Sequence, residues 1–263
     1  CSVMFSSFLM LLSNGEYSFS CPFLLLNSGI LKSLPENTID TPYDICITEI
    51  TADQLKGTLG HILQDNDEKY VSLSFLSLPT DFTNASSMFD SCASLTSIDT
   101  SGFTKVTDTS YMFYDCTSLK SIDTSAFAKV TDARYMFRSC ISLTTIDNWG
   151  FNVSKITAYT DMFNNCPLSD VYINTSISNP YDGSIILIQN KYEIEDFLIN
   201  KVKVTTATVH YEFPDLINTP FVHFNTLLSQ LPENTVDTPY NITITDITSD
   251  EFTSSTIGKV LRD

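Results

Sequence analysis

Cysteine and aspartate are the two residue types that recur in this chain at spacings that could support chemistry. Four cysteines share the last slot of a Met-Phe-x-x-Cys motif, and three aspartates share a slot seven residues later. The cysteines are Cys92, Cys116, Cys140 and Cys166, and the aspartates are Asp99, Asp123 and Asp147. Neighbouring thiols can form disulfides or bind zinc, and neighbouring carboxylates can bind calcium.

The spacing favours a structural role for both sets. Slots stacked about 5 Å apart would allow a disulfide, but a column of small buried side chains is the favoured interpretation. No CxxC pair occurs, so no zinc site is expected. Calcium needs six to eight oxygens, and one carboxylate in each repeat supplies too few. We therefore predict no metal and no other cofactor.

No catalytic motif accompanies these rows. His61, His210 and His223 lie on separate segments, and none is in register with a repeat cysteine. The sequence lacks HExxH, a phosphate-binding Walker loop, GxSxG and a glycine-rich dinucleotide turn. The protein is therefore predicted not to be an enzyme.

The motif belongs to a repeat that must position these residues. Its methionines are Met88, Met112, Met136 and Met162, so that the repeat is 24 residues long twice and then 26. A period in this range predicts a solenoid, in which each unit buries its apolar side chains against its neighbours. Each repeat is expected to supply one strand of a short parallel sheet. The predicted strands are Leu95–Thr100, Leu119–Thr124, Leu143–Asn148 and Leu168–Ile173.

Polar residues four positions before the first three methionines predict a second element in each repeat. Asn84, Asp108 and Asp132 suit the N-cap of a short helical turn that would carry the Met-Phe-x-x-Cys motif. Before the repeats, a helix is expected near Ala52–Gln64, with Thr51 or Asp53 as its cap. The predicted fold class is therefore α/β, a solenoid flanked by small α/β capping or linking segments.

A longer repeat sets the expected domain boundaries. LPENTIDTPY, which begins at Leu34, returns as LPENTVDTPY at Leu231. We expect residues 1–33 to end a preceding module, 34–69 to form an N-terminal cap and 70–174 to form the solenoid. Residues 175–230 would be a C-terminal cap or linker, and 231–263 would start a second module. This makes the chain an expected excerpt of a longer tandem protein; the alternative is that Cys1 is the lipidated start of a bacterial lipoprotein.

Composition narrows the classes of partner. The chain is 43% hydrophobic and 17% charged, which is typical of a globular protein, and no segment reaches the ~18 apolar residues of a membrane span. Its net charge is −17, with no Lys/Arg cluster. Nucleic acid is therefore not expected as a partner, because its phosphates would be repelled.

The repeat frame resembles that of a known family. Phe113, Cys116, Leu119 and Ile122 form a Phe-x-x-Cys-x-x-Leu-x-x-Ile pattern that resembles the BspA-like leucine-rich repeats of bacterial surface proteins. LPENTxDTPY is similar to a segment between repeat arrays in spirochaete-type tandem surface proteins. The resemblance implies a leucine-rich-repeat solenoid on the bacterial cell surface, exposed to the extracellular medium. It also implies adhesion to host extracellular-matrix or cell-surface proteins, without catalytic residues.

In a leucine-rich arc the candidate binding residues lie on the concave strand face, between and just after the inward apolar positions. They are Ser97, Asp99, Ser121, Asp123, Thr145, Asp147, Trp149, Asp170 and Tyr172. Trp149 and Tyr172 would supply aromatic anchors. The alternative is a solvated polar face in which each aspartate bonds a nearby backbone amide or serine. For the whole module the alternative function is an architectural spacer without a ligand of its own.

Overall fold

The chain has a mixed α/β fold with short parallel sheets and few helices in the part that is described, which confirms the predicted class at this level. The computed structural model describes residues 9–11, 17–21, 28–174, 191–202, 207–212, 217–220, 224, 227–228, 231, 236 and 239–249. Residues 1–173 and 197–210 belong to one compact unit, and residues 174–196 and 211–263 to another. The boundaries predicted from the longer repeat stay predictions.

Eleven strands form three sheets within the described residues. In the first, β1 (Leu9–Leu11), β2 (Tyr17–Cys21), β3 (Tyr43–Ile47), β4 (Val71–Phe75) and β5 (Leu95–Ile98) follow in that order, and all neighbours but β1 and β2 are parallel. The second comprises β6 (Ser121–Asp123), β7 (Thr145–Asn148), β8 (Asp170–Asn174) and β9 (Thr208–Glu212). In the other unit β10 (Ile217–Pro220) pairs in parallel with β11 (Ile242–Thr245), close to a small core around Leu227.

The helices are short. They are α1 (Ser28–Ser33), α2 (Leu59–Gln64), which follows a π-helical turn at Gln54–Thr58, a 3-10 turn at Ser125–Phe127, and α3 (Lys191–Asp196), which precedes a π-helical turn at Phe197–Lys201. Helical structure over Ala52–Gln64 agrees with the predicted helix. Its start is a reciprocal cap, because the Gln54 amide donates to the Thr51 hydroxyl and the Thr51 amide to the Gln54 side chain.

The repeat strands pair in parallel as predicted, except at one step. β6 pairs with β7 and β7 with β8, whereas β5 pairs with β4, a strand that precedes the first repeat. Between β5 and β6 the sheet order is broken, and the contact there is a long bond of 3.5 Å from the Lys120 amide to the Thr96 carbonyl. The described part of the repeats therefore contributes to two short sheets instead of one continuous sheet.

The segment around each Met-Phe pair is not the predicted helical turn. We call residues 85–92, 109–116, 133–140 and 159–166 the four Met-Phe turns. In each of them the residue before Met and the third residue after it have φ between 52° and 61°. These residues are Ser87, Ser91, Tyr111, Asp115, Tyr135, Ser139, Asp161 and Asn165. Two left-handed residues so close together cannot continue a right-handed helix.

The residues predicted to be helix caps form tighter local bonds instead. Asp108 accepts the backbone amide and the hydroxyl of Ser110 at 3.0 and 2.7 Å, and Asn84 accepts the same two groups of Ser86. Asp132 accepts the amide of Arg134 at 3.1 Å. Each is an Asx-turn, and the three residues also lie on isolated parallel bridges between repeats.

Backbone hydrogen bonds between successive Met-Phe turns all run in one direction. From the first to the second turn, the amides of Ser87, Phe89 and Ser91 donate to the carbonyls of Ser110, Met112 and Tyr114. The equivalent three amides of the second and third turns donate to the turn that follows. The nine N···O distances are 2.7–2.9 Å, so this is a regular ladder of good geometry.

Apolar side chains follow the same register. Phe89, Phe113, Phe137 and Phe163 stack with centroid distances of 5.6, 5.6 and 5.2 Å and interplanar angles of 11°, 3° and 8°. All four are buried, together with the methionines of the same motif. Each aromatic pair contributes about 0.5–1.5 kcal/mol beyond the burial of its area.

The first Met-Phe turn is covered by the helical segment Ala52–Gln64. A Cβ at Gly60 would lie 2.5 Å from the Met88 carbonyl oxygen, so only glycine permits this approach. The Gln64 side chain donates to the Asp90 carbonyl. The segment therefore occupies the face that would otherwise receive an earlier turn.

Two glycines of this helical segment provide a matched test of the contact. A Cβ at Gly57 meets nothing within 4 Å, so Gly57→Ala should raise the free energy of unfolding by about 0.5–1 kcal/mol through helix propensity. Gly60→Ala gains the same propensity but must displace backbone, and we expect it to lower the free energy of unfolding by about 1–3 kcal/mol. Urea denaturation of both variants measures the difference. Equal effects of the two substitutions would contradict the contact.

Candidate functional site

Most of the predicted strand-face residues are exposed or half-buried, and several already bond within the chain. The Asp99 and Asp123 carboxylates accept the amides of Ser101 and Ser125 at 2.9 and 2.7 Å. Ser97 bonds the Ser72 hydroxyl at 2.8 Å. These contacts are those of the solvated polar alternative.

The expected row of Asp99, Asp123 and Asp147 does not form. A register shift between β6 and β7 places Asn148 opposite Asp123, and the side-chain amide of Asn148 donates to the Asp123 carboxylate at 2.7 Å. Asp147 becomes the extra residue of the bulge and is exposed. Asp99 is separated as well, because β5 and β6 do not pair. A β-bulge of this kind turns a side chain out of the regular alternation.

The expectation that Trp149 is an exposed anchor is wrong. Its side chain is buried, with 6% of its surface exposed, and its Nε1 donates to the Phe151 carbonyl at 3.1 Å. The indole also packs edge-on against Phe197 at 6.3 Å. Trp149 occupies the repeat slot of Ser101 and Ser125, but its size places it in the core beside Phe197.

Asp170 and Tyr172 contact His210 of β9. The His210 Nε2 lies 2.8 Å from Asp170 Oδ1, and its ring stacks on Tyr172 with a centroid distance of 4.6 Å. Hydrogen bonds from Ser169 and then from His210 lower the pKa of Asp170. Thr145 and Ser121 are half-buried and lie opposite each other on β7 and β6. The structure therefore brings Asp170 and Tyr172 together at one end of the sheet.

The repeat cysteines are free thiols in the core column that was predicted. Cys92, Cys116 and Cys140 are buried and Cys166 is half-buried. The Cys116 and Cys140 thiols donate to the carbonyls of Phe89 and Phe113 of the preceding turns, both at 3.0 Å. Burial raises the pKa of Cys92 and of Cys166 to about 12. The pKa values of Cys116 and Cys140 are also raised, chiefly by burial and then by neighbouring thiols.

The described residues also bear on metal binding and on membrane insertion. Among them, no group of three His, Cys, Asp or Glu side chains could hold a metal ion. No helix in the described ranges combines the length and the apolar character needed to span a bilayer.

A surface that the sequence analysis missed lies on the second and third Met-Phe turns. Tyr111 stacks on Tyr135 with a centroid distance of 4.7 Å, and Tyr114 lies 5.7 Å from Tyr111. The Arg138 guanidinium lies 5.6 Å from the Tyr135 ring centroid. We call Tyr111, Tyr114, Arg134, Tyr135 and Arg138 the aromatic–arginine patch.

Acidic residues hold the two arginines of the patch in place. Arg134 makes a bidentate ion pair with Asp132, with its closest contact at 2.6 Å. Arg138 forms an ion pair with Asp161 at 3.0 Å. Partial burial raises the pKa of Asp132, but the hydrogen bonds from the Arg134 side chain and backbone amide together lower it by more. The pKa of Asp132 is therefore below its ordinary value. Both arginines are about half-exposed. The guanidinium groups are therefore oriented in advance and still accessible.

The aligned repeats contain the signal that could have identified this patch. The slot before Met holds Ser87, Tyr111, Tyr135 and Asp161, and the slot two residues after Met holds Asp90, Tyr114, Arg138 and Asn164. The inward slots of the motif do not vary, whereas these outward slots change from serine and aspartate to tyrosine and arginine. The binding residues predicted from the sequence all lie on or just after the strands, whereas this patch lies on the turns.

A cleft of about 760 Å³ borders the fourth Met-Phe turn. Its lining includes Ile141, Phe163, Asn164 and Asn165 from the repeats, and Lys201 and Val202 from the end of the later helical segment. The other lining residues are Tyr159, Thr160, Asp161, Cys166, Pro167, Leu168 and Ser169. Polar and apolar groups are mixed in this lining, so the cleft suits a peptide better than a purely apolar ligand.

One comparison with known proteins matches the repeat region. Residues 81–179 match the family model described as "Mycoplasma protein of unknown function, DUF285". This span contains all four Met-Phe turns and strands β5 to β8. The family is known among BspA-like surface repeat proteins, which supports the coarser part of the predicted resemblance, a surface repeat protein. No curated protein and no solved structure matches the chain.

The cysteine column should make stability fall at high pH. A raised thiol pKa means that the folded state keeps its proton above about pH 9, whereas the unfolded thiol loses it. The free energy of unfolding should therefore be unaffected by these thiols below pH 9, and should fall above it by about 1.4 kcal/mol per pH unit for each thiol. Denaturation between pH 8 and about 11 measures this slope. Cys140→Ala removes one thiol and should make this fall shallower by about 1.4 kcal/mol per pH unit. An unchanged slope would contradict the assignment.

Proposed function

We propose that this protein is a non-enzymatic adhesion module of the bacterial cell surface, built as a leucine-rich-repeat solenoid of the BspA-like type. Its partners would be host extracellular-matrix or cell-surface proteins, and its localisation extracellular. The family match over residues 81–179 supports the surface-protein part of the proposal. The aromatic–arginine patch is the observation that carries the protein-binding part.

The composition of the patch suits protein binding. Tyrosine and arginine are enriched among the residues that dominate protein–protein affinity, because they combine large contact area with directed hydrogen bonds. Tyr111, the most exposed ring, has 38% of its surface exposed although it stacks on Tyr135. The rings and guanidinium groups are held by their neighbours, so binding would order few additional rotamers. Each arginine of the patch is paired with an aspartate, so the patch offers a partner directed hydrogen-bond donors and aromatic area more than net charge.

The strand face is the second candidate surface for the same function. Ser97, Asp99, Ser121, Asp123, Thr145 and Asp147 present short polar groups there. The bonds that Asp99 and Asp123 make within the chain reduce what they can offer a partner. We therefore assign the main contact to the patch and the rim of the interface to the strand face.

A spacer without a ligand is the competing function. The observation that favours a spacer is that outward polar side chains already bond to one another within the chain, as Asp132 does with Arg134 and Asp123 with Asn148. A spacer needs a stable stack and no exposed aromatic side chain. The exposure of Tyr111 is therefore the feature that separates the two functions.

A binding assay on designed variants tests the proposal. Immobilised collagen, laminin and fibronectin would be probed with the chain by surface plasmon resonance. Tyr111→Ser with Tyr135→Ser copies the first repeat, where Ser87 adopts the same left-handed conformation, so folding should be preserved. We expect this double variant to lose binding by about 30-fold, or about 2 kcal/mol. A triple variant, Asp99→Asn, Asp123→Asn and Asp147→Asn, should stay within about threefold of the original protein.

Each outcome identifies a surface or a function. Loss of binding in the aspartate variant alone would move the site to the strand face. Failure of the unchanged protein to bind any matrix or cell-surface protein would favour the spacer. Thermal unfolding of each variant, followed by circular dichroism, confirms that the fold is retained.

A further inference from the structure

The fourth Met-Phe turn carries three backbone amides without an acceptor among the described residues. In the three earlier turns the equivalent amides donate to the turn that follows. The amides of Asp161, Phe163 and Asn165 occupy the same positions, and Asp161 and Asn165 share the same left-handed φ, at 52° and 58°. The intervening amides of Met162, Asn164 and Cys166 bond within the turn. The fourth turn therefore ends the ladder with a row of donors.

The cleft described above lies beside this donor row. Asp161, Phe163 and Asn165 all line it, together with Lys201 and Val202. All of these residues belong to the same compact unit. The row is thus next to an open volume of about 760 Å³.

The three earlier turns show which acceptor such a row of amides binds. In three successive cases the acceptor is a chain segment in the Met-Phe turn conformation, which presents alternate carbonyls at 2.7–2.9 Å from the donors. Main-chain pairing of this kind depends on backbone conformation more than on outward side chains, as in the addition of a peptide strand to a sheet edge. The outward slots, before Met and two residues after it, hold different residues in different copies, and the pairing is the same.

We propose that the cleft at the fourth Met-Phe turn binds a repeat-type peptide from another chain, which continues the ladder through three alternate carbonyls. This site is separate from the aromatic–arginine patch and does not depend on the adhesion proposal. An intact second copy of this unit does not suit the site as occupant. Its own first turn has the Met88 and Asp90 carbonyls covered by Gly60 and Gln64, so its accepting edge is already occupied.

A synthetic peptide of residues 131–143 with Cys140→Ser is the probe. In the intact protein this segment both accepts from the second turn and donates to the fourth, so it can adopt the turn conformation. A control peptide carries Tyr135→Pro and Ser139→Pro, because proline fixes φ near −65° and excludes the φ of 57° and 61° that the turn requires. A third peptide with Tyr135→Gly and Ser139→Gly adopts that φ readily and should bind at least as well.

Amide hydrogen exchange followed by NMR on the full chain gives the decisive readout. Without peptide, the amides of Tyr135, Phe137 and Ser139 should be protected and those of Asp161, Phe163 and Asn165 should exchange faster. Saturating peptide should slow exchange at the latter three amides by at least about tenfold, and the proline peptide should not. Absence of saturable binding up to about 1 mM, or binding without this protection, would overturn the proposal.

A pair of tryptophan variants locates the peptide in the cleft. Asn164→Trp fills the cleft from an exposed position and should weaken peptide binding at least about tenfold. Asp90→Trp changes the same slot three repeats earlier, outside the cleft lining, and should leave binding unchanged. Equal affinity of the Asn164→Trp variant and the unchanged protein would place the peptide elsewhere and overturn the proposal.

Discussion

The one-way backbone hydrogen bonding between Met-Phe turns is the constraint on which the rest of the structure depends. Each turn donates three alternate amides to the next, and this requires a left-handed residue before Met and another three positions after it. Residues other than glycine in that region each cost on the order of 1 kcal/mol. The cost is offset because the same register stacks Phe rings at 5.2–5.6 Å and aligns buried thiols. A turn without a neighbour would have the strain and lack the bonds.

A ladder that runs in one direction has two chemically different ends. The first turn presents carbonyls, and the last presents amides. The carbonyl end is closed by a helical segment that supplies a side-chain donor, Gln64, and a glycine that lets the backbone approach. The amide end instead meets a cleft lined in part by Lys201 and Val202. Polarity of the backbone thus determines what kind of group can cover each end.

Much of the fold could be predicted because apolar spacing carries the information. The invariant Met, Phe and Cys slots indicated stacking, and the Thr51–Gln54 pair marked the start of the helical segment Ala52–Gln64. The left-handed turn was missed because Ser87, Tyr111 and their equivalents give no glycine signal. The aspartate row was wrong because strict alternation assumes a strand without a bulge.

The candidate site was harder to predict because it depends on contacts between distant residues. Trp149 was expected on the strand face by its repeat slot, yet its indole packs against Phe197, 48 positions further along the chain. The aromatic–arginine patch depends on contacts across a repeat boundary, such as Tyr111 with Tyr135. Such contacts follow from the stacking distance, so they become visible only when the repeats are aligned by their outward slots as well as their inward ones.

Separation of inward from outward slots also bears on the type of function that the stack suits. Serine, tyrosine and aspartate occupy the slot before Met with φ between 52° and 57°, so the backbone tolerates different outward side chains there. Surface chemistry can therefore change from repeat to repeat while the Phe and Cys columns stay intact. Catalysis needs several groups directed at one point, whereas this arrangement distributes side chains along a line about one repeat apart. In the adhesion function proposed here, such a surface would hold an extended partner at several points, and the few turns that carry tyrosine and arginine would set the affinity.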